Sequence, residues 1–215
     1  MFIFRMMGGI LSLDFKILNY LQQFHSGPLD LIMKFFTYIG ENGYIWIALG
    51  LLFLCFKKTR KMGIYLLITL AIEFICNDLV LKHIIKRQRP FFYNKRINMV
   101  IKRPTSYSFP SGHASAAFSS ATAIFMHDKI KGLFAYLVAI AISVSRIYFY
   151  VHYPSDIVCG AILGMIVAII VRLMGKAIEK RHMRLYHPEL YAEMMEKARK
   201  EEQGINDDEV EFLEL

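Results

Sequence analysis

The sequence predicts an all-α protein, a polytopic membrane helix bundle of about five transmembrane helices with short N-terminal amphipathic helices. Three observations predict it. Of 215 residues, 55% are hydrophobic, and the mean hydropathy of +0.37 is too apolar for an ordinary soluble domain. The apolar residues bunch into runs at 44–56, 64–81, 114–126, 133–151 and 157–174, several of them near the ~20 residues a helix needs to cross a bilayer. The basic residues, which give a net charge of +8, sit between those runs. In a soluble protein that charge suggests nucleic acid; here membrane topology accounts for it, and the expected partner is the bilayer, not nucleic acid.

In chain order, Met1–Leu13 is apolar but broken by Arg5 and two glycines, with no small-residue cleavage pattern, so it does not read as a cleaved signal peptide. Asp14–Phe24 and Leu29–Ile39 have apolar residues at helical spacing around Ser26-Gly27-Pro28. They read as interfacial helices within 12–39, with one irregular sixth crossing as the alternative. The bundle occupies 43–176. One membrane domain therefore covers 1–180, followed by a charged tail, 181–215, that ends in Asp207-Asp208-Glu209.

Alternate crossings place three basic clusters on one face: Lys57, Lys58, Arg60 and Lys61; Lys129 and Lys131; and Arg172 to Arg184. The positive-inside rule makes that face cytoplasmic and the N-terminus external. Cys55, Cys76 and Cys159 lie inside apolar runs without metal-ligand spacing, so buried thiols are expected. The small residues of 114–123 and the pair Gly160/Gly164 suit close helix packing.

This topology gathers three polar groups on the outer face. Lys82 and Arg89-Pro90 come first; if the helix persists, the two cations lie within about 20° of each other around its axis and grip one anion. Asp78, one turn earlier, is placed to hold the Lys82 ammonium. Next is Pro110-Ser111-Gly112-His113, with Ser111 a natural N-cap, Gly112 admitting a ligand to the backbone, and His113 beside the resulting anion site. The third is Ser145-Arg146, His152 and Asp156. Pro154 suits a first helical position, which puts Asp156 in the first turn, where its carboxylate accepts the His152 Nδ1 proton and points Nε2 outward. Flanking charges alone do not explain so many cations, histidines and a carboxylate on one face, and Arg146 is costly near a membrane unless paired or functional. The cluster, counted with one carboxylate and two histidines, is a poor metal site, so no metal or cofactor is expected.

These three elements, in order, resemble the signature motifs of the type 2 phosphatidic acid phosphatase superfamily. The resemblance covers roughly 29–172 with no departure at a signature position, and the missing or vestigial first membrane helix is similar to the short bacterial forms. It implies a membrane lipid-phosphate phosphatase in which His152 is the nucleophile, Asp156 orients it, and His113 is the general acid. Lys82, Arg89 and Arg146, with Ser111 and the Gly112 amide, would hold the phosphate. The substrate implied is a lipid phosphomonoester or diphosphate, such as phosphatidic acid, phosphatidylglycerophosphate or undecaprenyl diphosphate. Phe91, Phe92 and Tyr93 suit the interface, and Lys95, Arg96, Lys102 and Arg103 are candidates for a second phosphate. Two other classes compete. A vanadium haloperoxidase shares the superfamily site but is soluble, and a non-catalytic membrane protein would not need the complete site.

Overall fold

The computed structural model describes residues 2–97 and 99–202. Among them the elements are helical: α1 (Phe2–Leu21), α2 (Gly27–Ile39), α3 (Tyr44–Leu54), α4 (Arg60–Phe74), a π-helical segment (Ile75–Leu81), α5 (Lys82–Ile85), α6 (Gly112–Phe125), α7 (Lys129–Tyr148), α8 (Pro154–Tyr186) and α9 (Pro188–Glu202). Three stretches are long and apolar enough to cross a membrane: Arg60–Phe92, Lys129–Tyr148 and Pro154–Tyr186. The apolar helix containing α3 is shorter. The expected bundle is therefore present, with full-length spans and shorter helices together.

α6 explains why hydropathy alone undercounts. It is the central helix, and Ala114, Ser115, Ala117 and all of Ser119–Ile124 are buried, against α3, α4 and α7. A helix sheathed by protein needs no lipophilic surface. Apolar residues at 64, 68, 72, 133, 137, 140, 162, 166, 169 and 170 are instead exposed on the outside, as a lipid-facing wall requires. The core joins Trp46, Leu66, Leu70, Ala117, Ala121, Ala139, Ile142 and Ala168. Because lipid tails are as apolar as leucine, association here depends on close packing rather than on removal from water. Gly160 and Gly164 provide it: a Cβ on Gly160 would stand 2.6 Å from the Ser111 carbonyl oxygen, and one on Gly164 would stand 2.3 Å from that of Ser115.

Several expectations change. The N-terminal helix begins at Phe2, well before the amphipathic spacing suggested, and runs unbroken to Leu21. The cysteines are not buried thiols: Cys55 is exposed, and Cys76 and Cys159 are half-buried. In a membrane bundle an apolar run does not tell inward from outward. Phe91 is buried with Tyr148–Val151 and Tyr153, while Phe92 and Tyr93 are exposed. The described chain divides into compact units Met1–Arg172 and Leu173–Leu215, and all the chemistry considered below lies in the first. The acidic end of the tail, at 207–209, is outside the described residues.

Candidate active site

The α4 backbone changes hydrogen-bonding pattern at Ile75–Leu81, a π-helical insertion of the kind that often accompanies functional sites. It carries Asn77 and Asp78 and leads into Lys82, which forms an ion pair with Asp78. All three surround Gly112: a Cβ there would lie 3.1 Å from Asp78 Oδ2, 3.2 Å from Lys82 Nζ and 3.4 Å from Asn77 Nδ2. Only glycine leaves that space open.

The helix does not persist to Arg89. Lys86 takes a left-handed conformation with φ +51°, ending α5, and Arg89 lies in extended backbone. The two cations therefore reach one cavity from a helix and a loop, not from one helical face. Arg89 is fixed by the loop: Nε donates to Ser106 O at 2.7 Å, Nη1 to Val151 O at 2.9 Å, and Nη2 to Ser106 Oγ at 3.1 Å and Tyr107 O at 3.3 Å.

Ser111 caps α6, its Oγ accepting from the Ala114 amide at 3.4 Å, while its own amide donates to the Asp156 carbonyl at 3.1 Å. It is fully buried and absent from the cavity wall, where Gly112 and His113 follow it. His113 Nε2 stands 3.9 Å from Glu41 Oε2. Arg146, buried in the last turn of α7, donates from Nη1 to Thr37 Oγ1 at 2.7 Å, and its Nε has no hydrogen-bond partner.

α7 ends at Tyr148, Tyr150 adopts φ +57°, and α8 begins at Pro154. This tight turn holds His152 at 1% exposure. Its Nε2 lies 3.1 Å from Arg89 Nη1. A guanidinium has donors only, so Nε2 is the accepting, unprotonated nitrogen and the ring proton is on Nδ1. Nδ1 faces Asp156 Oδ2 at 3.4 Å, longer than the hydrogen bond the spacing suggested. Asp156 is occupied elsewhere: Oδ2 accepts from Ser108 Oγ at 2.5 Å and the Tyr153 amide at 3.0 Å, and Oδ1 from Arg87 Nη1 at 2.5 Å. Burial, then the charges of Arg89, Arg146 and Lys82, hold the imidazole of His152 well below its ordinary range, with the Ser108 backbone pulling weakly the other way.

One cavity of about 1050 Å³ collects Lys82, Arg89, Gly112, His113, Arg146 and His152 on its wall; Ser111 and Asp156 lie behind it. Glu41, Glu73 and Asp78 also line it, which corrects the count of a single carboxylate. Even so, among the described residues no three His, Cys, Asp or Glu side chains converge as metal ligands. Of the loop cations, Lys102 and Arg103 reach the wall, whereas Lys95 and Arg96 do not. Ile47, Leu67, Leu70, Ala71 and Phe74 add apolar surface to the same wall.

Sequence reasoning missed four residues. Glu73 is a carboxylate in the middle of the apolar run at 64–81, a signal in its own right. Asp14 is the same signal in the N-terminal stretch. Arg87 was lost among flanking basic residues, and Glu41 carried no local mark.

The fold and the cavity together define an all-α membrane protein whose buried cations and imidazoles share the wall of one cavity. The sequence pattern of the PAP2 superfamily matches residues 61–179, and the chain belongs to that superfamily. It is 35% identical to the undecaprenyl-diphosphatase of Sulfolobus acidocaldarius over 70% of this chain and 71% of that one. It is 27% identical to phosphatidylglycerophosphatase B of Bacillus subtilis, over 71% and 78% of the two chains. Among solved structures, Aquifex aeolicus LpxE superposes with a TM-score of 0.66 at 27% identity, covering 74% of this chain and 94% of that one.

Proposed function

We propose that this protein is a membrane lipid-phosphate phosphatase, a hydrolase that works through a phosphohistidine at His152. The observation that carries the reading is the orientation of that ring: Nε2, unprotonated, meets Arg89 at the cavity wall, and Nδ1 faces Asp156. In the first step Nε2 attacks phosphorus, the P–O bond to the lipid breaks, and His113 protonates the leaving oxygen. In the second, His113 takes a proton from water, the hydroxide attacks phosphorus, and the P–N bond breaks to release inorganic phosphate. Lys82, Arg89, Arg146 and the Gly112 amide stabilise the phosphoryl oxygens, positioning and charge being most of what phosphoryl transfer demands. Asp156 steadies the cationic ring formed at His152.

A lipid substrate is supported by the cavity's mixed wall, which joins Lys82, Arg89 and Arg146 to apolar residues of α3 and α4. A phosphomonoester such as phosphatidic acid or phosphatidylglycerophosphate fits the buried cations alone. Lys102 and Arg103 on the same wall favour a second reading, a polyprenyl diphosphate whose distal charge they meet, and a relative named for undecaprenyl diphosphate supports it. The basic clusters at 57–61 and 129–131 support a site on the external face and a cytoplasmic tail. The test is phosphate release in detergent from phosphatidic acid, phosphatidylglycerophosphate and undecaprenyl diphosphate. Release by the wild type and none by His152→Ala is expected; release by both would refute the assignment of the nucleophile.

A further inference from the structure

Much of the bonding at Asp156 comes from outside the three motifs. Arg87 donates from Nη1 to Asp156 Oδ1 at 2.5 Å and to Ser155 Oγ at 2.8 Å, and from Nη2 to Asp14 Oδ2 at 2.8 Å. Its guanidinium lies 3.8 Å above the Tyr153 ring. Asp14 belongs to α1, is buried, and accepts from the Ser155 amide at 2.9 Å and from Ser155 Oγ at 2.5 Å. The same helix, with Gln22 in the short turn just after it, grips the turn that holds His152. Tyr150 donates its hydroxyl to Asn19 Oδ1 at 2.9 Å, Gln22 Nε2 donates to the Tyr148 carbonyl at 3.0 Å, and Phe15 packs edge-on to Tyr153.

A planar guanidinium bridging two carboxylates, with a ring beneath it, has little freedom to turn. It fixes Asp156 Oδ1 in its direction, so Oδ2 is left facing Ser108, the Tyr153 amide and His152. We propose that Arg87, locked by Asp14 of the N-terminal helix, is a positioning residue that aims Asp156 and, through it, the His152 imidazole. The N-terminal helix is thus part of the catalytic apparatus and not only a membrane-surface element. This inference rests on the reading of His152 as nucleophile.

The test uses the full chain in detergent with a lipid phosphate that the wild type hydrolyses. Arg87 is absent from the wall of the large cavity, so Arg87→Ala is expected to lower kcat about a hundredfold, the usual cost of a ~1 Å misplacement, and to leave KM within about threefold. Arg87→Lys keeps the charge but cannot span both carboxylates, and is expected to restore part of kcat. Asp14→Asn keeps an acceptor for the Ser155 amide while removing the ion pair, and its kcat is expected to fall between the two. If Arg87→Ala does not fold, Asp14→Asn and Arg87→Lys decide the matter by the same kcat-against-KM comparison. Wild-type kcat in these variants, or a loss confined to KM, overturns the proposal. Failure of the underlying reading shows separately, as activity retained by His152→Ala.

Discussion

Arg89 meets the nucleophile candidate directly: its Nη1 lies 3.1 Å from Nε2 of His152 and also donates to the Val151 carbonyl at 2.9 Å. The cation is therefore set by the protein before any phosphate arrives, which is how a site avoids reorganisation cost during reaction. Lysine has neither the planar fork nor the donors to hold Ser106, Val151 and Tyr107 together. Arg89→Lys is expected to lower kcat/KM by about a hundredfold or more, the scale set by losing one preorganised donor. Steady-state kinetics on the purified variant check this.

The surroundings of His152 fix a pH dependence. Burial and the cations Arg89, Arg146 and Lys82 disfavour its protonated form, so it stays neutral as the pH falls past the ordinary imidazole value of about 6.5. Once corrected for ionisation of the lipid phosphate and of His113, the general acid, kcat/KM is expected to show no acid-side loss from His152 through that pH. A decade lost per pH unit below about 6.5 would show an ordinary imidazole instead. The unfolded chain, by contrast, protonates this histidine at about 6.5, so the group lowers stability as the pH drops from there toward the folded value. Melting temperatures in detergent should fall in the same direction.

Backbone contact between α8 and α6 places the start of α6, and with it His113. Gly164→Ala puts a methyl 2.3 Å from the Ser115 carbonyl oxygen and 2.9 Å from the Ser119 nitrogen, neither of which is a flexible side chain. A loss of about 1–3 kcal/mol is expected, read as a lower melting temperature. An unchanged melting temperature would mean that the helices separate freely here.

In the proposed mechanism Lys82, Arg89 and Arg146 supply the charge that a divalent cation would otherwise bring. Activity is expected to survive chelation and to be lost on adding vanadate, which competes for the phosphate position. Loss on chelation with recovery on adding magnesium would contradict the mechanism.

The bundle was legible because lipid demands long apolar helices, and the motif residues were legible because charged groups at a membrane boundary are rare. α6 was legible as the run at 114–126, but its small residues did not show that it is sheathed by protein rather than by lipid. The Lys82–Arg89 relationship was read as one helical face, but the left-handed Lys86 breaks that helix, a backbone event with no side-chain pattern to announce it. Arg87 was invisible for another reason. Its meaning depends on Asp14, 73 positions away, and on Asp156, 69 positions away, and such long-range pairings leave no local periodicity. The π-helical turn at Ile75–Leu81 likewise follows from tertiary packing rather than propensity.

The central claim is the covalent intermediate. Wild-type and His113→Ala proteins would be mixed with a lipid carrying radiolabelled phosphate, quenched rapidly and mapped for label. Loss of the general acid–base is expected to slow turnover by about two to four powers of ten, so that a poor leaving group reports the first step and an activated phosphate ester reports the second. With the activated ester, the account predicts acid-labile label on His152, accumulating in His113→Ala because water is no longer activated. Turnover with no label on His152, or label on another residue, would contradict it.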